Sequence, residues 1–221
     1  MNRALALARL PETLNDWLVL LAIFAAIMAI VFYVQHRRRE GLRRVAEELG
    51  LAFEPGPLKF ALGDDLLALP LLSRQTDLSN LLRGNFGGAE VVLLDCRVGS
   101  GRSSISQTLA CFPLRGKTLP GFELRPENVL HKIGSAFGYK DIDFEASPKF
   151  SGRYLLRGED EAAIRNLFHP GLLSFFEEQK GWCVEGRGKW LGVYRQGRTV
   201  SPKNLRKFLE EASRLCAAFA Q

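Results

Sequence analysis

Three carboxylates at period two, Asp141, Asp143 and Glu145 in the run DIDFE, are the residues best spaced to do chemistry. On a strand they share one face, and carboxylate oxygens gathered on one face are the donors a divalent cation takes. Ile142 and Phe144 alternate with them, so the same pattern describes an ordinary strand with one buried and one solvated face. A calcium-loop reading fails, since the sixth position is Ala146 where glycine is required and the twelfth is Gly152 where glutamate is required. The run Gly99-Ser100-Gly101-Arg102-Ser103 lacks the first glycine and the lysine of a phosphate-binding loop, and no helix follows to supply amide groups. His36, His131 and His169 stand far apart without a nucleophile or acid beside them. Cys96, Cys111, Cys183 and Cys216 show no C-x-x-C spacing and no histidine partner, which predicts buried free thiols and neither metal nor cofactor. No catalytic residue is assigned. The preferred reading is a non-enzymatic binding or scaffolding module; the alternative is a membrane-associated, metal-dependent enzyme built on Asp141, Asp143 and Glu145.

The elements that would carry these residues begin with Trp17 to Val34, WLVLLAIFAAIMAIVFYV, 18 apolar residues without charge, proline or glycine. As a helix this run is about 27 Å long against roughly 30 Å of hydrocarbon, with every backbone group bonded internally. It is apolar all round and carries Trp17 and Tyr33 at its ends, which predicts a transmembrane helix rather than a core helix. Arg37, Arg38, Arg39, Arg43 and Arg44 follow the run while only Arg3 and Arg9 precede it, the reverse of a cleaved signal peptide. The bias of cytoplasmic flanks toward positive charge puts the C-terminal side in the cytoplasm. The predicted organisation is a tail over 1–16, a span over 17–34 anchored by Trp17, Tyr33, Arg37, Arg38 and Arg39, a basic juxtamembrane helix over 35–50, and a cytoplasmic domain over 51–221.

Within that domain, Gly50 ends the polar helix and residues 51–54 read as a short strand. Residues 58–82 are leucine-rich without a period, compatible with short helices or packed loops. Residues 89–98 and 103–112 form a predicted hairpin, followed by a strand over 121–125, a helix over 127–137 and strands over 141–145 and 153–157. A helical pair over 159–179 breaks at His169-Pro170, and a second hairpin pairs 182–185 with 189–195. Ser201-Pro202 opens a last helix with a predicted side-chain cap. Its apolar residues Leu205, Phe208, Leu209, Ala212, Leu215, Cys216 and Phe219 fall on one face that docks on the sheet. Strands that come as hairpins predict an α+β fold with a mostly antiparallel sheet and a C-terminal amphipathic helix.

The formal net charge is +6, and residues 181–221 hold 8 basic residues against 3 acidic. Arg187, Lys189, Arg195 and Arg198, with Lys203, Arg206 and Lys207, are candidate contacts for anionic lipid heads. Nucleic acid is not an expected partner, because no basic stripe interleaved with aromatics occurs. Membrane lipid and an unidentified protein are the expected partners.

The succession Asn80-Leu-Leu-Arg-Gly, AEVVLLDCRV, Phe122-Glu-Leu-Arg-Pro126, Asp141-Ile-Asp-Phe144 and Tyr154-Leu-Leu-Arg-Gly-Glu-Asp-Glu161 resembles a group of bacterial single-span membrane proteins of unknown function. The resemblance covers most of residues 40–210. It implies a bacterial inner-membrane location and transfers no functional residue.

Overall fold

The computed structural model describes residues 13–58, 62–74, 76–99, 101, 104–127 and 140–220. The helix expected over 127–137 therefore lies, beyond Glu127, outside the described residues, as do His131, Ser100, Arg102 and Ser103. The chain divides into two compact units, residues 1–40 and 41–221.

In the first unit, helix α1 (Leu14–Leu49) starts at a capping box: Thr13 Oγ1 accepts from the Asp16 amide at 3.3 Å while Asp16 Oδ2 accepts from the Thr13 amide at 3.0 Å. Every side chain from Leu14 to Val34 is exposed, Trp17 at 60% and Phe32 at 70%. α1 continues into the second unit, where Leu42 and Ala46 are buried in the core. The domain boundary thus falls at residue 41 rather than 51, because the last two turns of this helix bury an apolar face. Gly50, at φ 68°, ends it as expected.

The second unit is built on an eight-stranded, wholly antiparallel sheet in the order β1-β2-β3-β4-β8-β7-β5-β6. Its strands are β1 (Ala52–Glu54), β2 (Thr76–Phe86), β3 (Ala89–Val98), β4 (Ile105–Pro113), β5 (Leu119–Pro126), β6 (Tyr154–Gly158), β7 (Cys183–Gly188) and β8 (Trp190–Tyr194). Helices α2 (Asp64–Leu67), α3 (Pro148–Ser151), α4 (Glu161–Leu167), α5 (Pro170–Glu178) and α6 (Leu205–Ala220) complete it. Both predicted hairpins form, as β3–β4 and β7–β8. The helical pair forms as α4 and α5, with His169 Nδ1 accepting from the Leu172 amide at 3.3 Å as the cap of α5.

Three expectations are corrected. Residues 76–86 are a strand, unread in sequence because a bulge between Ser79 and Leu82 breaks its alternation. Asn80 takes φ 54° at that bulge and points its amide at Asp95. Residues 141–145 are not a strand; only the Ile142 amide pairs with the sheet, donating to Leu156 O at 2.8 Å. Ser201 makes no side-chain cap, and Pro202–Asn204 is a 3-10 turn that leads into α6.

Both faces of the sheet are covered, so β3 reads as a near-continuous apolar run. One face packs α4, α5, α6 and the end of α1 around an aromatic centre in which Phe122 meets Phe168 edge to face at 5.3 Å. The seven residues predicted on the apolar face of α6 are all buried there. The other face lies under Leu58 and residues 62–72, whose Leu58, Leu62, Leu66, Leu69, Leu71 and Leu72 meet Val92, Leu94 and Cys96 of β3.

Gly186 lets Phe122 lie flat on β7: a Cβ there would stand 2.9 Å from Phe122 Cδ1. Gly186→Ala is expected to destabilise the domain by about 1–3 kcal/mol in denaturant unfolding. The double variant with Phe122→Leu should lose less than the sum of the two single losses, and strict additivity would refute the contact.

Candidate functional site

The most unusual chemistry lies where the sequence offered no motif. On the face covered by residues 62–74, Glu123 of β5 stands directly opposite Arg157 of β6 on one side and Glu185 of β7 on the other, and Glu185 stands opposite Gly192 of β8. Two carboxylates facing each other across adjacent strands repel. Glu123 is compensated by Arg74, which bonds its Oε1, and by Arg125, paired with its Oε2 at 3.0 Å. Glu185 is 1% exposed and receives one hydrogen bond, from the Leu71 amide to Oε2 at 2.9 Å. Burial, with the Glu123 charge second, pushes its carboxyl up to about 8, so it stays protonated at neutral pH. Gly192 makes the room: a Cβ there would stand 3.1 Å from Glu185 Cγ.

The covering segment is held at its other end by Asp65, which accepts from Trp190 Nε1 at 3.0 Å and pairs with Lys189 at 2.7 Å. Those two donors hold the Asp65 carboxyl below its ordinary range. Beside Glu123 a cavity of about 10 Å³, bounded by Pro70, Gly121, Arg157 and Arg187 among others, has space for about one water. A substrate has no room at this centre. The bonds from the Leu71 amide to Glu185 and from Arg74 to Glu123 tie the covering segment to the sheet.

The other candidates are dispersed. Asp141, Asp143 and Glu145 are all exposed, and Asp141 Oδ1 is engaged by the Leu156 amide at 2.8 Å. Among the described residues no three of His, Cys, Asp and Glu gather as a metal site. All four thiols are free and buried. Burial pushes Cys183 up to about 12 and Cys216 to about 11, the reverse of an activated nucleophile. Of the basic residues, Arg187 is exposed at the tip of the β7–β8 hairpin beside Lys189, which is paired with Asp65. Arg195 lies at the far end of β8, stacked at 4.0 Å over Trp182 and paired with Glu211 at 3.3 Å; Arg198 is exposed. The four do not form one patch. In the first unit, Trp17 and Tyr33 are exposed and Arg37 sits 5.9 Å over the Tyr33 ring, while Arg38 and Arg39 are half-buried.

Glu185 was missed because a glutamate ending a predicted strand normally faces water. The available signal was its period-two alignment with Cys183 and the glycine at 192, in the middle of the partner strand.

An N-terminal apolar helix, an antiparallel eight-stranded sheet and a C-terminal helix define an α+β protein without a gathered catalytic constellation among its described residues. No protein-family model matches the chain, and no curated protein matches it in sequence. Among solved structures it is similar in fold to the mycobacterial trehalose monomycolate transport factor A, TtfA, at TM-score 0.57 and 15% identity, over 84% of this chain and 92% of that one.

The buried acid sets a pH dependence. Between the ordinary glutamate value of 4.5 and about 8, folded Glu185 keeps a proton that the unfolded chain has released. Its contribution is full below that window and is lost as pH rises through it, by up to about 1.4 kcal/mol per unit. Melting the full chain in detergent, wild type and Glu185→Gln, should show the wild type losing stability relative to the variant from pH 5 to 8 and levelling above. Parallel curves would mean that Glu185 ionises normally.

Proposed function

We propose that this chain is a single-span protein of the bacterial inner membrane, whose C-terminal domain faces the cytoplasm and works as a binding or scaffolding module without catalytic chemistry. The observation that carries this reading is the helix from Trp17 to Val34, 18 apolar residues whose side chains all lie exposed on a protein that otherwise buries its leucines. In water that surface would be among the largest costs in the molecule; in hydrocarbon it is at rest. Arg37, Arg38 and Arg39 after the span, against Arg3 and Arg9 before it, support the cytoplasmic placement of the domain. The bacterial single-span group that the sequence resembles is where we place the chain.

The solved structure this chain is similar to in fold is named as a trehalose monomycolate transport factor. By analogy of fold, this domain assists a membrane process by contact with lipid and with a protein partner.

The test is topology in a bacterial cell. The full chain should remain in membranes after alkaline carbonate and dissolve when residues 17–34 are deleted. A fluorescent protein fused after Gln221 should fluoresce, and alkaline phosphatase fused there should be inactive. Active phosphatase would reverse the orientation, and release by carbonate would remove the span.

A further inference from the structure

We propose that the domain rests on the anionic leaflet through the surface around the Pro202 turn, with Arg198, Lys203, Arg206 and Lys207 contacting the phosphate groups of anionic phospholipid. This rests on the single-span reading above and specifies which face of the domain meets the membrane.

Chain length is the first argument. Gly41 follows Val34 by seven residues, about 10 Å as a helix and at most about 25 Å extended. Gly41 is packed against the Pro202 ring so closely that a Cβ would stand 2.8 Å from Pro202 Cγ. The turn at 202 is therefore held beside the residue through which the chain passes from span to domain. Arg198, Lys203, Arg206 and Lys207 lie within five residues of it, and all four are exposed.

Their placement does nothing for the helix they begin. Lys203 lies in the turn that leads into α6, Arg206 and Lys207 lie in its first helical turn, and no acid is present there. Cations at this end oppose the helix dipole, whose positive pole attracts anions. Among the described residues none of the four makes an ion pair. Glu210 stands one turn on, and Glu211 is taken by Arg195. A surface of phosphates would relieve both the mutual repulsion of these cations and their conflict with the dipole.

The remaining basic residues are out of range or occupied. Arg187 and Lys189 are separated from this turn by the whole of β8, roughly 17 Å of strand, and Lys189 is paired with Asp65. A Debye length of about 8 Å at physiological salt screens charges at that distance from a leaflet held near Gly41.

The experiment uses the full chain in vesicles of phosphatidylcholine alone or with phosphatidylglycerol, each containing a lipid spin-labelled at its headgroup. Asn204→Cys, exposed in the turn, carries a fluorophore; Arg187→Cys carries it at the distant hairpin tip, and the four native thiols are buried. Quenching at 204 should rise at least twofold with phosphatidylglycerol at low salt. The rise should vanish at high salt and when Arg198, Lys203, Arg206 and Lys207 are changed to Gln, while the label at 187 stays unquenched. A melt of the Gln variant matching the wild type excludes misfolding as the cause. Quenching at 204 that ignores lipid charge, or charge-dependent quenching at 187 instead, would overturn the proposal while leaving the span intact. Release of the chain from vesicles by carbonate would overturn the single-span reading itself, and the contact with it.

Discussion

The pairing of β4 with β8, from Leu109 opposite Tyr194 to Pro113 opposite Trp190, is the constraint on which the rest of the domain depends. β1 to β4 form a meander in chain order, and without β8 the outer edge of β4 would leave buried N–H and C=O groups without partners. The strand that satisfies them arrives about eighty residues later, a distant closure whose entropy must be met before its contacts form. Once made, it fixes the order β8-β7-β5-β6 and brings the chain after β8 back across β4. There Thr108 Oγ1 accepts from the Val200 amide at 2.9 Å and donates to Asp95 at 2.8 Å, while Asn80 donates to the same carboxylate. This polar line ties β2, β3 and β4 to the connection that launches α6, and so sets where the Pro202 turn sits.

The same closure creates the conflict at the centre of the covered face. Setting β7 between β8 and β5 places Glu185 against Glu123 and out of reach of water. The conflict is divided unequally: Glu123 is paired with Arg74 and Arg125, and Glu185, without a cation partner among the described residues, keeps its proton. Arg74 and the Leu71 amide both come from the covering segment, so that segment is held by polar bonds as well as by its leucines. A buried ionic group of this kind is weak support for stability, since apolar residues of similar volume would serve as well. Its effect is register: a shift of the segment by one residue would leave the carboxyls without those partners.

The two units treat their apolar side chains in opposite ways. The described residues of 41–220 bury a core on both faces of one sheet, whereas the helix before them exposes its apolar side chains from Leu14 to Val34. Charge divides earlier, at the end of the apolar run. The apolar run is empty of it, and the residues that follow carry five arginines before Gly50.

Local pattern alone determined the apolar helix, both hairpins, the break at His169-Pro170 and the buried face of α6, because each is written in residues within a few positions of one another. The 3.6-residue period of α6 and the glycines between β7 and β8 need no distant partner to be read. Only the tertiary structure decided that residues 76–86 are a strand, since the bulge at Asn80 erases the period that would have revealed it. Likewise, residues 141–145 keep an alternation of buried and exposed side chains without a second strand to complete a ladder. The partner of β4, the protonation of Glu185 and the dispersal of the basic residues to opposite ends of β8 were also beyond sequence. Each depends on which groups meet across tens of residues of intervening chain, and that meeting is set by sheet closure rather than by local spacing.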